Sequence, residues 1–262
     1  MSVRDPGRPA QRRVRLTWLG QAGFRIDIGE TSVVVDPWAT PHDDRLIPAP
    51  PLGLAAERVD SVLITHDHFD HLDLPLLGEI LERSPAARVV LPEAVVPLVE
   101  QLVPEGQIVA VNPHDRIEVD GLSVDVVPAF HGVTMEDAYG DGSAIGGRPL
   151  FVGYVLDAEP RIYHAGDTIV TRELTAALKP LRVSVALLPI NGRDPERESR
   201  GIVGNMNAAE AVELALDLGV SRLVPYHWDG FRGNTVPPGS VVDAAAGKLH
   251  VAVPARFEPF EL

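Results

Sequence analysis

The chain has 262 residues, a size that fits one large α/β domain or two small ones, and 45% of them are hydrophobic, which excludes general disorder. Its formal net charge is −14 and its only lysines are Lys179 and Lys248, so binding to nucleic acid or to an anionic membrane surface is disfavoured. The absence of cysteine excludes disulfides, thiolate metal ligands and cysteine nucleophiles.

The first thirteen residues differ in composition from the rest of the chain. Residues 1–13 are polar and lack the apolar segment of a signal peptide, so they predict a flexible N-terminal tail. Residues 14–262 show no linker between two cores and predict a single domain. No apolar run has the length of a membrane-spanning helix. The sequence therefore predicts a cytoplasmic protein.

Three short strands are predicted at the start of the domain, where apolar runs are separated by turns that contain glycine. They cover Val14 to Leu19, Gly23 to Ile28 and Ser32 to Asp36. Asp36 ends the third strand and precedes a proline, a pattern that is also typical of a simple turn. The stretch Ala39 to Pro51 is rich in proline and has no periodicity, so we expect a surface loop there.

The segment His66 to His71 is the most informative part of the sequence, with three histidines and two carboxylates within six residues. It follows a strand predicted over Ser61 to Thr65 and precedes a helix predicted over Leu74 to Arg83. Residues two apart in an extended chain project to the same side, so the rings of His66 and His68 should lie together.

Asp70 and His71 follow the turn in this segment and can face the same space from another direction. Neutral imidazoles combined with a carboxylate suit Zn, Mn or Fe. Two such pairs suit two metal ions, about 3.5–4 Å apart, better than one ion. The alternative is a polar turn that happens to be rich in histidine.

Strands and helices alternate along the rest of the chain, which predicts a layered α/β core. The predicted strands cover Arg88 to Leu91, Gln107 to Val111, Arg116 to Val119, Leu122 to Val127, Leu150 to Leu156, Arg161 to His164, Val183 to Pro189, Ser221 to Pro225 and His250 to Val253. The predicted helices cover Glu93 to Leu102, Thr171 to Lys179, Asn207 to Leu218 and Val241 to Ala246.

Three more candidate ligands stand where predicted strands end, at His131, Asp167 and His227. Loops at strand ends on a rigid scaffold frequently carry function. The role of His164 stays open between contact with a ligand residue, a position facing substrate and a place in the core. The glycine-rich stretch Gly132 to Gly147 is interpreted either as a lid over the site or as a disordered surface loop.

These motifs resemble a known superfamily. The segment His66 to Asp73 is similar to the signature of the metallo-β-lactamase-fold hydrolases. Three other stretches resemble the L-ascorbate-6-phosphate lactonase group within it: Thr17 to Phe24, Leu188 to Asp194, and Gly204 to Met206 followed by Glu210 and Ala211. The resemblance implies a four-layer αββα sandwich, in which two mixed sheets pack face to face with helices outside.

The resemblance also implies roles for individual residues. One metal site would comprise His66, His68 and His131, a second site would comprise Asp70, His71 and His227, and Asp167 would bridge the two ions. The carboxylate of Asp36 would accept the free ring N–H of a ligand histidine and fix its orientation. The residues implied to lie near the substrate are Gln21, Asn191, Arg193 and Asn205.

A metal-dependent hydrolase is the function that follows from this resemblance. A hydroxide held between two divalent ions, Zn or Mn with Fe as a further option, would attack an ester-like carbonyl, and Asp70 would orient the nucleophile or pass a proton to the leaving oxygen. The expected substrate is a small molecule, a lactone or related ester such as a phosphorylated sugar lactone.

Two alternatives to the lactonase stay open. The segment His68 to Leu76 also resembles the N-acylphosphatidylethanolamine phospholipase D group, which would make the protein a phosphodiesterase. The other alternative is a metal-binding module without catalytic activity. Metal identity and the possibility of a homo-oligomer are left open by the sequence.

Overall fold

The computed structural model describes residues 13–132 and 149–262. The predicted tail, apart from its last residue, and nearly all of the predicted lid lie outside the described residues. Across the two described ranges, no helix is both long and apolar enough to cross a membrane.

Strands and helices follow one another along most of the described chain. The strands are β1 (Val14–Gly20), β2 (Gly23–Ile28), β3 (Thr31–Val35), β4 (Ser61–Leu63), β5 (Arg88–Pro92), β6 (Ile108–Val111), β7 (Arg116–Val119), β8 (Leu122–Pro128), β9 (Val152–Leu156), β10 (Ile162–His164), β11 (Val185–Pro189), β12 (Arg222–Tyr226), β13 (His250–Val251) and β14 (Pro259–Glu261). The α-helices are α1 (Leu52–Ala55), α2 (Leu74–Arg83), α3 (Val96–Val99), α4 (Arg172–Leu178), α5 (Pro195–Glu198), α6 (Ala208–Leu218) and α7 (Gly239–Ala245).

The strands form two mixed sheets of seven strands each. The first sheet has the order β14-β1-β2-β3-β4-β5-β6, and the second has the order β13-β12-β11-β10-β9-β8-β7. In the first sheet the pairs from β3 to β6 are parallel, and in the second the pairs from β10 to β13 are parallel. The remaining pairs in both sheets are antiparallel.

Three clusters of buried side chains define four layers. The central cluster lies between the sheets and includes Phe24 from the first sheet and Tyr154 from the second. A second cluster packs the outer face of the first sheet against α2 through residues such as Ile80. A third packs the outer face of the second sheet against α4 and α6, with Leu174 and Leu214 among its members. This arrangement confirms the predicted αββα sandwich.

Local sequence signals set the ends of the longer helices. Asn207 caps α6, since its side-chain oxygen accepts hydrogen bonds from the backbone N–H groups of Ala209 and Glu210, and the Glu210 carboxylate accepts one from the backbone N–H of Asn207. The helix ends at Gly219, which adopts a left-handed φ of 67°. Asp73 caps α2 by accepting from the N–H of Leu76.

The structure corrects one predicted helix and contains elements that were not predicted. The helix predicted over Glu93 to Leu102 is a 3₁₀ turn followed by the short α3, because Pro97 lacks an N–H and is tolerated only in a first helical turn. The polar stretch Asn191 to Gly204 contains the short helix α5, which was not predicted. The edge strand β14 was also not predicted, and it pairs with β1 over only three residues.

Candidate metal centre

The histidine-rich segment lies directly after β4, at the end of the first sheet where β3 and β4 run parallel. The backbone turns back on itself there, since the N–H groups of His71 and Leu72 both donate to the carbonyl of His68. Asp73 then fixes the far end of the segment. Its carboxylate accepts from the backbone N–H groups of Ala39 and Thr40 as well as capping α2.

The second sheet supplies the other candidate ligands from three strand ends. His131 follows β8, Asp167 follows β10 and His227 follows β12. All three are buried. The ends of these three strands therefore lie at the same edge of the sandwich as the histidine-rich segment of the first sheet.

Two groups of ligand atoms converge between the sheets. In each group one nitrogen or oxygen atom per residue lies within 4.8 Å of every other. The first group consists of His66, His68, His131 and Asp167, and the second consists of Asp70, His71 and His227. Each group combines residues from both sheets.

The carboxylate of Asp167 reaches both groups. Its Oδ2 lies 3.3 Å from Nε2 of His131 in the first group and 3.2 Å from Nε2 of His227 in the second. Its Oδ1 lies 3.4 Å from Nε2 of His71. A carboxylate has two oxygens that can bind two cations at once, so this position suits a bridging ligand.

Several atoms in the centre are buried without a hydrogen-bond partner among the described residues. They include Nε2 of His66, Nε2 of His71 and Oδ1 of Asp167. The last two lie near each other but do not form a hydrogen bond. Leaving a buried polar atom unsatisfied costs about 1–3 kcal/mol. A metal ion bound between these atoms would remove that cost, and the residues present therefore fit divalent cations.

Asp36 orients one of the candidate ligands from beneath. Its Oδ2 lies 2.8 Å from Nδ1 of His71, which leaves Nε2 of that ring facing the centre. The same carboxylate accepts from the backbone N–H of Thr65 at 2.8 Å and from its hydroxyl at 2.6 Å. Asp36 is fully buried, so its position is fixed on both sides.

Other candidate ligand residues also have a hydrogen-bond partner that fixes their orientation. Nδ1 of His131 lies 2.7 Å from the carbonyl oxygen of Gly204, which directs Nε2 towards Asp167. The side-chain amide of Gln21 donates to Oδ2 of Asp70 at 2.8 Å. Such contacts fix ring tautomers and raise ligand basicity in metal sites.

The charges of the centre divide its histidines into two kinds. Burial lowers the pKa of His131 to about 4, and burial together with neighbouring imidazoles lowers that of His66 well below its usual value. Burial also opposes the charged form of His227 and His71, but nearby carboxylates outweigh it. Asp167 and Asp70 raise the pKa of His227 to about 9, and with Asp36 they raise that of His71 well above its usual value.

The two central carboxylates stay ionised. Burial alone would raise the pKa of Asp70 and of Asp167, but the surrounding histidines reverse this effect and hold both values well below the usual range. Both side chains are therefore acceptors at neutral pH, as metal ligands must be.

A cavity of about 410 Å³ opens onto these residues. It reaches His68, Asp70, Asp167 and His227 at one end. The rest of its wall comes from loops and from the short helix α5, and it includes His42, Phe69, Asn191, Arg197, Arg200, Ile202, Asn205, Phe231, Arg232 and Asn234. Its volume is in the range typical of small-molecule sites.

The residues expected near the substrate occupy different positions. Asn191 and Asn205 line the cavity and are joined by a hydrogen bond of 3.0 Å. Gln21 is not among the lining residues, but its side-chain amide contacts Asp70 and His227, which are. Arg193 does not line the cavity, because its guanidinium pairs with Glu210 at 2.6 Å. The expectation for Arg193 therefore does not match its position.

His164 proves to be a core histidine. Its Nδ1 accepts from the N–H of Gly166, and its Nε2 donates to the carbonyl oxygen of Ala22 at 2.9 Å. Its ring stacks on Tyr226 with 5.0 Å between centroids. Both nitrogens are thus used away from the ligand groups, so His164 braces the two sheets rather than contacting a ligand residue.

Sequence reasoning missed most of the loop residues in the cavity wall. Phe69 carries no metal-ligating atom and stands between His68 and Asp70, whose chemistry dominates the motif. Phe231 and Arg232 lie in a stretch without periodicity. Their position a few residues after His227, at the end of β12, is the sequence feature that could have predicted a place near the site.

Comparison with known proteins agrees with this geometry. The model of the Beta-lactamase superfamily domain matches residues 31–228. A UPF0173 metal-dependent hydrolase of Pyrobaculum calidifontis is 32% identical over 220 residues, covering 83% of this chain and 85% of that protein. Another, from Methanopyrus kandleri, is 34% identical over 222 residues with the same coverage of both chains.

A solved structure shares the fold. Igni18, described as a novel metallo hydrolase from Ignicoccus hospitalis, superposes with a TM-score of 0.72 at 24% identity. The match covers 95% of this chain and 98% of that one. At this level of identity the likeness concerns the fold alone, and it agrees with the two packed sheets described above.

Proposed function

The chain belongs to the UPF0173 metal-dependent hydrolase family of the metallo-β-lactamase superfamily, and from this premise we propose that it binds two metal ions and hydrolyses a lactone or a related ester. One observation carries the proposal of two ions. Asp167 contacts ligand atoms of both groups, and buried atoms in each group lack a hydrogen-bond partner among the described residues.

Zn, Mn and Fe all suit this set of imidazoles and carboxylates. When bound, two such cations lower the pKa of a water molecule to about 7 and polarise a carbonyl oxygen. The histidines of the chain position the ions, and the residues behind them hold the rings in place. Asp36 and the carbonyl of Gly204 do this for His71 and His131.

Asp70 is the residue that we propose as the acid–base group. It is held as a carboxylate by the neighbouring histidines, and Gln21 fixes one of its oxygens through a hydrogen bond of 2.8 Å. It also lines the cavity, so a substrate there can meet its carboxylate. In this role the Asp70 carboxylate would orient the attacking water, accept a proton from it and pass that proton to the leaving alkoxide.

A lactone is favoured by the resemblance of three sequence stretches to the lactonase group, and a compact ring fits a cavity of about 410 Å³. A phosphodiester is the second candidate. It is favoured by two exposed arginines in the cavity wall, Arg200 and Arg232, since guanidinium groups bind phosphate oxygens well.

The test combines metal analysis with a substrate panel. Purified protein is assayed for bound metal and then for turnover of lactones and phosphodiesters, beside Asp70→Asn and the control Asp67→Asn. Asp67 lies in the same segment but in neither ligand group, so its variant removes a similar charge without removing a ligand.

Each outcome assigns one function. Lactone turnover that falls by about 10²–10⁴ in Asp70→Asn and persists in Asp67→Asn supports the proposal. Turnover of phosphodiesters alone transfers the assignment to the second candidate. Bound metal without turnover of either class would make the chain a metal-binding module.

A further inference from the structure

Four aromatic rings form a cluster beside the metal centre, and we call Trp38, His42, Phe69 and Phe231 the aromatic wall. Phe69 stacks on His42 with 4.8 Å between ring centroids and an interplanar angle of 14°. Trp38 stacks on Phe231 with 5.0 Å between centroids and an angle of 25°. The two stacked pairs meet edge to face, Phe69 lying 6.0 Å from Trp38 and 5.8 Å from Phe231.

Phe69 has an unusual place in this wall. It lies in sequence between His68 and Asp70, one residue from each ligand group, and 51% of it is exposed. Phe69 and Phe231 both line the cavity, and Ile202 adds a further apolar surface from another loop. A large apolar side chain in water forgoes about 25 cal/mol for every Å² that it could bury. Burial by a ligand would recover this free energy.

The wall is held rigidly from behind. The guanidinium of Arg45 lies 3.9 Å from the ring centroid of Trp38 and donates to backbone carbonyls of its own loop, including those of Trp38 and Ile47. That loop is joined to the Phe231 loop by a backbone hydrogen bond from Leu46 to Gly230. A preformed surface binds an apolar group without first being ordered.

We propose that the aromatic wall binds an apolar, flat group of the substrate and so makes Phe69 and Phe231 determinants of specificity. This inference rests on the proposed hydrolysis and adds the chemical class of the substrate. The substrate is an ester or lactone whose reacting carbonyl lies at the ligand groups and whose aryl or similar substituent packs on Phe69 and Phe231. Offset or edge-to-face contacts between such rings contribute about 0.5–1.5 kcal/mol beyond the area that they bury.

The charged residues that line the cavity are consistent with this assignment. Arg232 follows Phe231 in the same loop and Arg200 lies in a separate one, and both are exposed, so their guanidinium groups can face water or an anionic substituent. Their guanidinium groups are charged, whereas Phe69 and Phe231 present uncharged apolar rings to the cavity. The apolar substituent is therefore assigned to the side of the cavity that holds Phe69 and Phe231.

The experiment compares two lactones that differ only by a ring, γ-butyrolactone and γ-phenyl-γ-butyrolactone. The measured quantity is the ratio of their kcat/KM values, in which a general loss of activity cancels. Phe231→Ala removes part of the wall without altering the ligand segment, and Phe231→Leu keeps an apolar side chain without a ring. A second measurement compares binding of phenylacetate and acetate to each metal-loaded protein by calorimetry.

We expect the wild-type ratio to favour the phenyl lactone by about tenfold or more, and phenylacetate to bind more tightly than acetate by a similar factor. Both preferences should fall several-fold in Phe231→Ala and less in Phe231→Leu. Ratios near one in the wild type, or a preference unchanged in Phe231→Ala, would overturn the inference while leaving the proposed hydrolysis intact. If neither lactone reacts, the hydrolysis fails, and the two carboxylates still decide whether the wall binds an aryl group.

Discussion

The substitution Asp36→Asn tests whether Asp36 orients His71, a candidate metal ligand of the second group. In the native chain Asp36 offers only acceptors, one oxygen to the backbone N–H of Thr65 and the other to the Thr65 hydroxyl and to Nδ1 of His71. When the His71 ring is neutral, its proton is thereby kept on Nδ1, and the Nε2 lone pair points to the centre.

Asparagine cannot reproduce this pattern in either orientation of its amide. With its NH₂ group towards His71, it donates to Nδ1 and drives the ring proton to Nε2, where it blocks metal binding. With its oxygen towards His71, it sets a donor against the backbone N–H of Thr65, a clash between two donors at a fully buried site. Loss of such a partner typically lowers metal affinity by about 10- to 100-fold, or about 1.4–2.7 kcal/mol.

Metal content after dialysis and a competition titration with a chelator measure the effect. We expect Asp36→Asn to lose affinity at the site that contains His71, while the first ligand group retains its metal. The control is Asp27→Asn, which removes a half-buried carboxylate that binds Arg25 and Ser32 away from the centre. Wild-type affinity at both sites in Asp36→Asn would refute the orienting role.

Four further predictions follow from the same geometry. Metal binding at pH 7 should release close to two protons, because the rings of His227 and His71 must become neutral to bind a cation. Nearby carboxylates raise the pKa of His227 to about 9 and that of His71 well above its usual value. The number of released protons should fall as the pH rises through 9, and calorimetry in buffers of different ionisation enthalpy measures it. Chelation should lower the melting temperature, since metal present at 100 times its dissociation constant contributes about 2.7 kcal/mol per site; an unchanged melting curve would contradict this. Asn207→Ala should lower the free energy of unfolding by about 1 kcal/mol in urea titration without changing the metal content. Gly192→Ala should lower it by about 1–3 kcal/mol, because the new Cβ would collide with the backbone of Asn207, and equal stability of the two proteins would show that the loop adjusts freely.

The convergence of the candidate ligands could be predicted because metal-binding chemistry restricts both residue type and position. Imidazoles and carboxylates rarely follow buried strands without a reason, and His66, His68, Asp167 and His227 all do so within a few residues. The layered fold was predictable for a related reason, since short strands alternating with helices have few ways to bury their apolar faces.

The cavity wall was not predictable in the same way, because it depends on contacts between distant loops. Arg193 and Arg200 look equivalent in the sequence, yet Arg193 is drawn to Glu210 at the start of α6 and only Arg200 lines the cavity. Asp194 caps the unpredicted α5 between them and sets the direction of the chain. Phe231 gains its place through a bridge to Arg45, a partner far away in sequence.

The division of each ligand group between the two sheets explains why the centre and the core depend on one another. His66 and His68 come from the first sheet, whereas His131 and Asp167 come from the second, so the distance across a metal site is set by the packing of the central core. Packed cores resist deformation, so the central core keeps the candidate ligand atoms close together. It does so even though several of these buried nitrogen and oxygen atoms lack a hydrogen-bond partner among the described residues. The free energy stored in those unsatisfied atoms is released when a cation binds, and for that reason metal affinity and fold stability should change together in any variant that loosens the contact between the sheets.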